Sequence, residues 1–299
     1  MSGQDLHTAP NPPRPSHITD GAEAIVRLNR QRMARWDRRR LISMLLASVG
    51  KERTAGITRP YHEDAYDSLM DWATDPDMLA CALDRLRTDG GQAPGPDGLA
   101  PEHVAHIMLE RMSKQVNSGT YRPGPLRQVD IPKSDGGTRT LSIPNITERV
   151  LQKSILHVLS PLVDASLHDG VHGFRPGRSP HTALAHALSL HAPVWGLYDL
   201  RDAFGSMPHG RLLQVVKLHV PNEEMVNLIT ILVGRPGSDT GRRGIPQGAP
   251  LSPLLLNLYL DKFLDRPFTQ QEPGVHLVRY ADDILIAAPD MDTLHRAEE

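Results

Sequence analysis

Two adjacent carboxylates, Asp282 and Asp283, lie in the stretch Arg279-Tyr280-Ala281-Asp282-Asp283-Ile284-Leu285-Ile286. Apolar, β-branched runs of strand length flank them at residues 275–278 and 284–288. An aspartate pair in such a frame is costly to bury unless its charge is compensated, and a divalent cation is the usual partner. A hairpin tip that merely carries Asp-Asp is the competing reading, and the pair alone does not separate the two. A third carboxylate, Asp199, stands far upstream in Trp195-Gly196-Leu197-Tyr198-Asp199-Leu200-Arg201-Asp202-Ala203-Phe204-Gly205. Residues 195–200 read as a short buried strand with Asp199 near its carboxyl end, where its side chain can point into a shared site. Gly205, Pro208 and Gly210 then punctuate the chain before a helical run at 211–219.

Between these carboxylates comes Gly244-Ile245-Pro246-Gln247-Gly248-Ala249-Pro250-Leu251-Ser252-Pro253. Its Gly and Pro residues imply a rigid loop, and Ser252-Pro253 opens a helix with proline at the first position. Leu254, Leu255, Leu258 and Phe263 recur at helical spacing and form the expected buried face. A loop that brings Gln247 and the bare backbone of Gly248 to a helix start suits close approach by a flat ligand.

Taken in order, Asp199 with Ala203 and Phe204, residues 244–253 and residues 280–283 resemble the three palm motifs of reverse transcriptases. Upstream blocks agree. Residues 131–144 resemble the finger hairpin that covers the incoming nucleotide. His172-Gly173-Phe174-Arg175-Pro176-Gly177-Arg178-Ser179 resembles the next motif of bacterial enzymes, and Ala93-Pro94-Gly95-Pro96-Asp97-Gly98 the extra finger motif of the group II intron and retron-like retroelement branch. The likeness is collinear over about residues 93–299. Gly205, where many group II intron enzymes carry Asp, and Gly248-Ala249-Pro250 lean toward retron-like or CRISPR-associated forms.

The resemblance implies an RNA-directed DNA polymerase that adds deoxynucleotides to a primer 3′ end. Its cofactors would be two Mg²⁺ ions, with Mn²⁺ able to take their place, held by Asp199, Asp282, Asp283 and the Leu200 carbonyl. Such ions sit about 3.5–4 Å apart and need only a few carboxylates besides substrate phosphates. Lys133 and Arg139, around a Gly136-Gly137 turn, would hold the triphosphate. Phe204, beside Ala203, would occupy the space of a ribose 2′-hydroxyl, Gln247 would lie near that sugar, and Arg175 and Arg178 would touch template or backbone. The partners would be an RNA template, a DNA or RNA primer and deoxynucleoside triphosphates. The family's later palm motifs and helical thumb do not follow Asp283 here, so the resemblance leaves two expectations: a truncated product, or a separate thumb-bearing chain as a further partner.

The elements that must carry these motifs read as α+β: right-hand polymerase fingers and palm, with an antiparallel palm sheet packed on helices. Residues 1–20 hold Pro10, Pro12, Pro13 and Pro15 and read as a disordered tail. Residues 21–60 form an Arg-rich helical arm with Arg27, Arg30, Arg32, Arg35, Arg38, Arg39 and Arg40, residues 61–190 the fingers, and residues 191–299 the palm. Residues 62–86 read as one or two helices with Tyr61, Tyr66, Leu69, Trp72, Leu79 and Leu83 in the core. Further helices are expected at 101–116, 147–163, 210–219 and 222–233, and one beginning near 289–294.

Formal charge is −2, so any basic face for nucleic acid has to be local. The arm is the richest candidate. It is either an RNA-contacting segment, with Arg35, Arg38 and Arg39 on phosphates, or a solvated charged helix; a template-copying enzyme favours the first. The single cysteine, Cys81, excludes an intrachain disulfide and a multi-cysteine zinc site and fits a reducing cytoplasm. No apolar run reaches membrane-spanning length, so no membrane partner is expected. Two other readings stay open: a retroelement remnant that binds RNA without synthesis, and a template-independent nucleotidyl transferase using the same carboxylates.

Overall fold

The computed structural model describes residues 35–89, 91–132, 136–234, 242–271 and 274–298. The expected tail at 1–20, Arg27, Arg30, Arg32 and the triphosphate candidate Lys133 lie outside them.

The first half is helical and organised around α6 (Ile146–Asp164). Its Ile146, Val150, Leu151, Ile155, Val158, Leu159 and Leu162 recur at helical spacing and are all buried. Removing each from water contributes roughly 1.5–3 kcal/mol. Against α6 pack α1 (Arg35–Thr54), through the buried Ile42, Leu45, Leu46 and Val49, and α4 (Pro76–Thr88). Asp75 starts α4 because its carboxylate accepts from the free Asp77 and Met78 amides, with Pro76 at the first position. Between α1 and α4 lie α2 (Pro60–Asp67) and α3 (Leu69–Thr74), and α5 (His106–Asn117) follows a short 3₁₀ turn at Pro101–His103.

Residues 60–88 therefore make three helices rather than one or two. The breaks fall at Ser68 and at the Asp75-Pro76 cap, while all six expected core residues are buried as read. Arg149 on α6 donates to the carbonyls of Gly91 and Ala93, and the Asn145 side chain accepts from the Asp97 amide. The Pro-Gly-Pro-Asp-Gly segment is thus pinned to the start of α6.

Strands β1 (Arg127–Pro132) and β2 (Thr138–Ile143) form an antiparallel hairpin. Then come α7 (Pro180–Ser189), β3 (Val194–Asp199), α8 (His209–His219), α9 (Glu223–Val233) and α10 (Ser252–Leu260). A π-helical stretch (Asp261–Asp265), α11 (Arg266–Gln271), β4 (His276–Tyr280), β5 (Asp283–Ala288) and α12 (Met291–Glu298) complete the order. The second sheet is antiparallel throughout, in the order β3-β5-β4. One of its faces, with Leu277, Ile284, Ile286 and Ala288, packs with Leu264, Phe268 and Leu294 from the helical elements. This is the α+β arrangement expected of fingers and palm.

Two expectations change. Strand β3 is not buried: it lies at the sheet edge, with Trp195 38% and Leu197 77% exposed on the face that the C-terminal helices do not cover. Phe263 is exposed instead of joining the buried face, because the π stretch shifts the helical phase and turns Asp261 and Asp265 inward.

Candidate active site

The register of the second sheet decides where the carboxylates meet. Asp199, last residue of β3, is the direct antiparallel partner of Asp283, first residue of β5. Asp282 belongs to the two-residue turn joining β4 to β5, since Tyr280 pairs with Asp283. The Leu200 amide donates to the Asp282 carbonyl at 3.1 Å and locks the end of β3 to this turn. Three acidic residues separated in sequence thus gather at one end of the sheet. Asp199 and Asp283 project on the open face with Leu197 and Leu285, because side chains alternate along a strand.

Among the described residues, the charges that act on Asp283 are both negative. Burial, with the negative charges of Asp282 and then Asp199 beside it, raises the Asp283 carboxyl above its ordinary value. Such mutual repulsion suits a divalent cation. Among the described residues, however, no three His, Cys, Asp or Glu side chains are placed to hold a metal ion by themselves. An ion such as Mg²⁺ would need waters and substrate phosphates as further ligands beside these carboxylates.

Backbone hydrogen bonds draw the other motif loops to the same place. The Ile245 amide donates to the Phe204 carbonyl at 2.9 Å and the Gly244 amide to the Met207 carbonyl at 2.8 Å. The Ser142 amide of β2 donates to the Gln247 carbonyl at 2.7 Å, which ties the finger hairpin to the loop before α10. Ala203 and Gln247 are half-buried, and Arg139 is exposed on the hairpin. Phe204 is only 7% exposed and belongs to the main core, so it offers a wall more than a free ring. Phe174, 49% exposed, meets it edge-on at 6.5 Å between ring centres.

Among the described residues four non-glycine residues have a positive φ, and Phe174, Asp202 and Ala281 of these lie in the motif loops. Strain of this kind persists where surrounding contacts over-determine it.

The basic candidates fare differently. Arg175 is held inside the fold: its Nε donates to Asp164 at 2.8 Å, its other nitrogens go to the Asp164, His168 and Val171 carbonyls, and its side chain is 6% exposed. A guanidinium so enclosed fixes the loop. Arg178 bonds to Asp169, through the carbonyl at 2.6 Å and the carboxylate at 3.4 Å. Arg35 and Arg38 meet acidic partners, because α1 is a core helix whose flank faces acidic residues. Arg35 pairs with Asp77 and Asp84, and Arg38 with Asp75 at 3.0 Å. Arg39 is half-buried, and burial and then Arg85 lower its pKa.

Reading the sequence missed Arg279, Asp265 and Asn257. All three are fully buried polar side chains directly behind the carboxylate turn. The signal was present, since Arg279 adjoins the Tyr-Ala-Asp-Asp stretch and Asn257 interrupts an apolar run.

A family profile described as "Reverse transcriptase (RNA-dependent DNA polymerase)" matches residues 131–298. Protein YkfC of Escherichia coli (strain K12) is 30% identical over 211 residues, covering 65% of this chain and 55% of YkfC. Group II intron-encoded protein LtrA of Lactococcus lactis subsp. cremoris is 28% identical over 239 residues, covering 74% of this chain and 40% of LtrA. Retron Mx162 reverse transcriptase of Myxococcus xanthus is 33% identical over 171 residues, covering 52% of this chain and 34% of that enzyme. The chain spans about half or less of each of these three relatives.

Proposed function

This chain belongs to the reverse transcriptase family, and from that membership and its carboxylate geometry we propose that it serves RNA-directed DNA synthesis. The observation that carries the reading is the direct pairing of Asp199 with Asp283 beside the Asp282 turn. We assign Asp199, Asp282, Asp283 and the Leu200 carbonyl to two divalent ions, Mg²⁺ or Mn²⁺. Bound there, the ions would acidify the primer's 3′ hydroxyl and steady the departing pyrophosphate.

The chain's own residues arrange the reactants. The exposed sheet face that carries Asp199 and Asp283 also carries Leu197, a surface along which a primer end can lie. Arg139, and Lys133 by its place in the sequence, would hold the triphosphate from the finger hairpin. Gln247 and Ala203 would border the sugar, and the Phe204 ring would close the space of a 2′-hydroxyl. An RNA template, a DNA or RNA primer and deoxynucleoside triphosphates are the matching substrates. Domain limits at 21–60, 61–190 and 191–299 belong to the same proposal. Among the described residues, no helix is long and apolar enough to cross a membrane.

The direct test is extension of a labelled primer on an RNA template with Mg²⁺. Template-dependent addition of deoxynucleotides is expected, while RNA binding without any extension would overturn the reading. Phe204→Val then tests the wall. Removing the ring opens volume for an extra hydroxyl, and even one methylene of pocket volume shifts discrimination by about 10–200-fold. Ribonucleotide use should rise relative to deoxynucleotide use by an amount in that range, measured below the variant's melting temperature. An unchanged ratio would place sugar selection elsewhere.

Arg27, Arg30 and Arg32 are further arm candidates for RNA phosphates, besides Arg35 and Arg38, which hold ion pairs within the fold. Truncation through residue 45 is unsuitable because Ile42 and Leu45 are core residues. Changing the three arginines to Gln should flatten the log–log salt dependence of RNA binding by about 0.7–0.9 per lost phosphate contact. An unaltered slope would assign them to a solvated surface.

A further inference from the structure

The deepest polar group of the second half lies behind the carboxylate turn. The side chains of Arg279 and Asp265 are both 0% exposed. Arg279 Nε donates to Asp265 Oδ1 at 2.9 Å and to Oδ2 at 3.2 Å, and Nη2 donates to Oδ2 at 2.6 Å. This is a forked pair that lysine cannot reproduce. Nη1 points away from Asp265. It donates to the Ala281 carbonyl at 2.8 Å and to Asn257 Oδ1 at 3.0 Å.

Both ends of that second fork reach the site. Ala281 holds φ +60° in the turn that presents Asp282. Asn257, 0% exposed on α10, donates from Nδ2 to the Gly173 carbonyl at 2.8 Å. Gly173 in turn lies flat against the turn: a Cβ there would stand 2.2 Å from the Ala281 nitrogen. The next residue is Phe174, whose ring meets Phe204. The Arg279 backbone adds two more links, its amide donating to the Gly170 carbonyl and its carbonyl accepting from the His172 amide, each at 2.8 Å.

A buried ion pair is weak evidence for a stability role, because apolar side chains of similar volume often serve the fold as well or better. What apolar side chains cannot do is donate to the carbonyl of a strained turn. We propose that Arg279 is a positioning residue: held by Asp265, it fixes the Ala281–Asp282 turn, and through Asn257 and Gly173 it fixes the Phe174–Phe204 wall. One buried network then sets both the carboxylates and the sugar-contacting ring. This deepens the proposed function and rests on it for the identity of the ligands.

The test uses the full chain with Asp265 and Arg279 replaced together by Leu and Met, which keeps the volume and removes the tether. Arg279→Lys is a second variant, since it keeps the charge opposite Asp265 without the fork. Thermal unfolding reports folding, and Mn²⁺ binding to the protein alone is read by water proton relaxation. Cooperative unfolding should persist while Mn²⁺ affinity falls about 10–100-fold, the usual cost of losing an outer partner of a metal site. In primer extension, kcat should fall by a similar factor while primer–template affinity holds. Asn257→Ala should in addition lower the preference for deoxynucleotides over ribonucleotides.

Wild-type Mn²⁺ affinity in both Arg279 variants would overturn the positioning role, and an unchanged sugar preference in Asn257→Ala would remove the link to the ring wall. Should the double variant not fold, Arg279→Lys decides the metal question alone. Should the unaltered chain add no deoxynucleotides, the polymerase reading fails, and the Mn²⁺ measurements still judge the network.

Discussion

Asn at position 199 or 283 is expected to remove nucleotide addition and leave the fold intact or slightly firmer. The activity loss follows from losing one charge aimed at the reacting phosphate. Single electrostatic contacts of that kind are worth about 10²–10³ in rate, and a bridging metal ligand sits at the upper end. The stability prediction has the opposite sign from that of an ordinary site substitution. Asp283 is disfavoured as a carboxylate by its burial and by Asp282 and Asp199, so an amide in its place relieves repulsion. Melting at or above the wild-type temperature, together with abolished primer extension and retained RNA binding, is the expected combination. Extension at the wild-type rate by Asp199→Asn would end the assignment of these carboxylates.

Asp265→Ala is expected to do the reverse and destabilise the whole sheet. It leaves Arg279 buried without its counter-charge, and breaking a buried pair from one side costs about 3–5 kcal/mol. Folded chains are stable by only about 5–15 kcal/mol, so the loss is a large share of the total. Denaturant titration should show the midpoint moving down by an amount set by that cost. A midpoint within error of the wild type would mean that water reaches Arg279, contrary to its complete burial. The pair of predictions separates two kinds of aspartate in one sheet region. On the proposed reading Asp283 serves the chemistry at some cost to stability, and Asp265 serves a buried partner.

Much of this arrangement is legible in the residues. The helical spacing of Ile146, Val150, Leu151, Ile155 and Val158 announces α6, and Asp75-Pro76 announces the start of α4, because amphipathic period and capping are local physics. Alternation and apolar runs announce β4 and β5, and the order of the motifs around Asp199, Gly244–Pro253 and Asp282 announces a shared site. What local physics could not reveal is which side chains are partners across the chain. Arg35, Arg38 and Arg175 look like phosphate ligands in sequence, and only folding brings Asp77, Asp84, Asp75 and Asp164 within reach of them.

Exposure was equally hidden. Residues 194–199 have the composition of a buried strand, but a strand's burial depends on the layers above and below it, and β3 has an edge position and one open face. The π stretch at Asp261–Asp265 is the clearest case. A slip of the helical phase is invisible to a pattern that assumes one period, yet it turns Phe263 outward and Asp265 inward. By itself the sequence determined many of the elements and picked out the three carboxylates. Tertiary structure decided their register, and with it the buried Arg279 that meets the turn, because only side chains brought together by folding can satisfy a charge withdrawn from water.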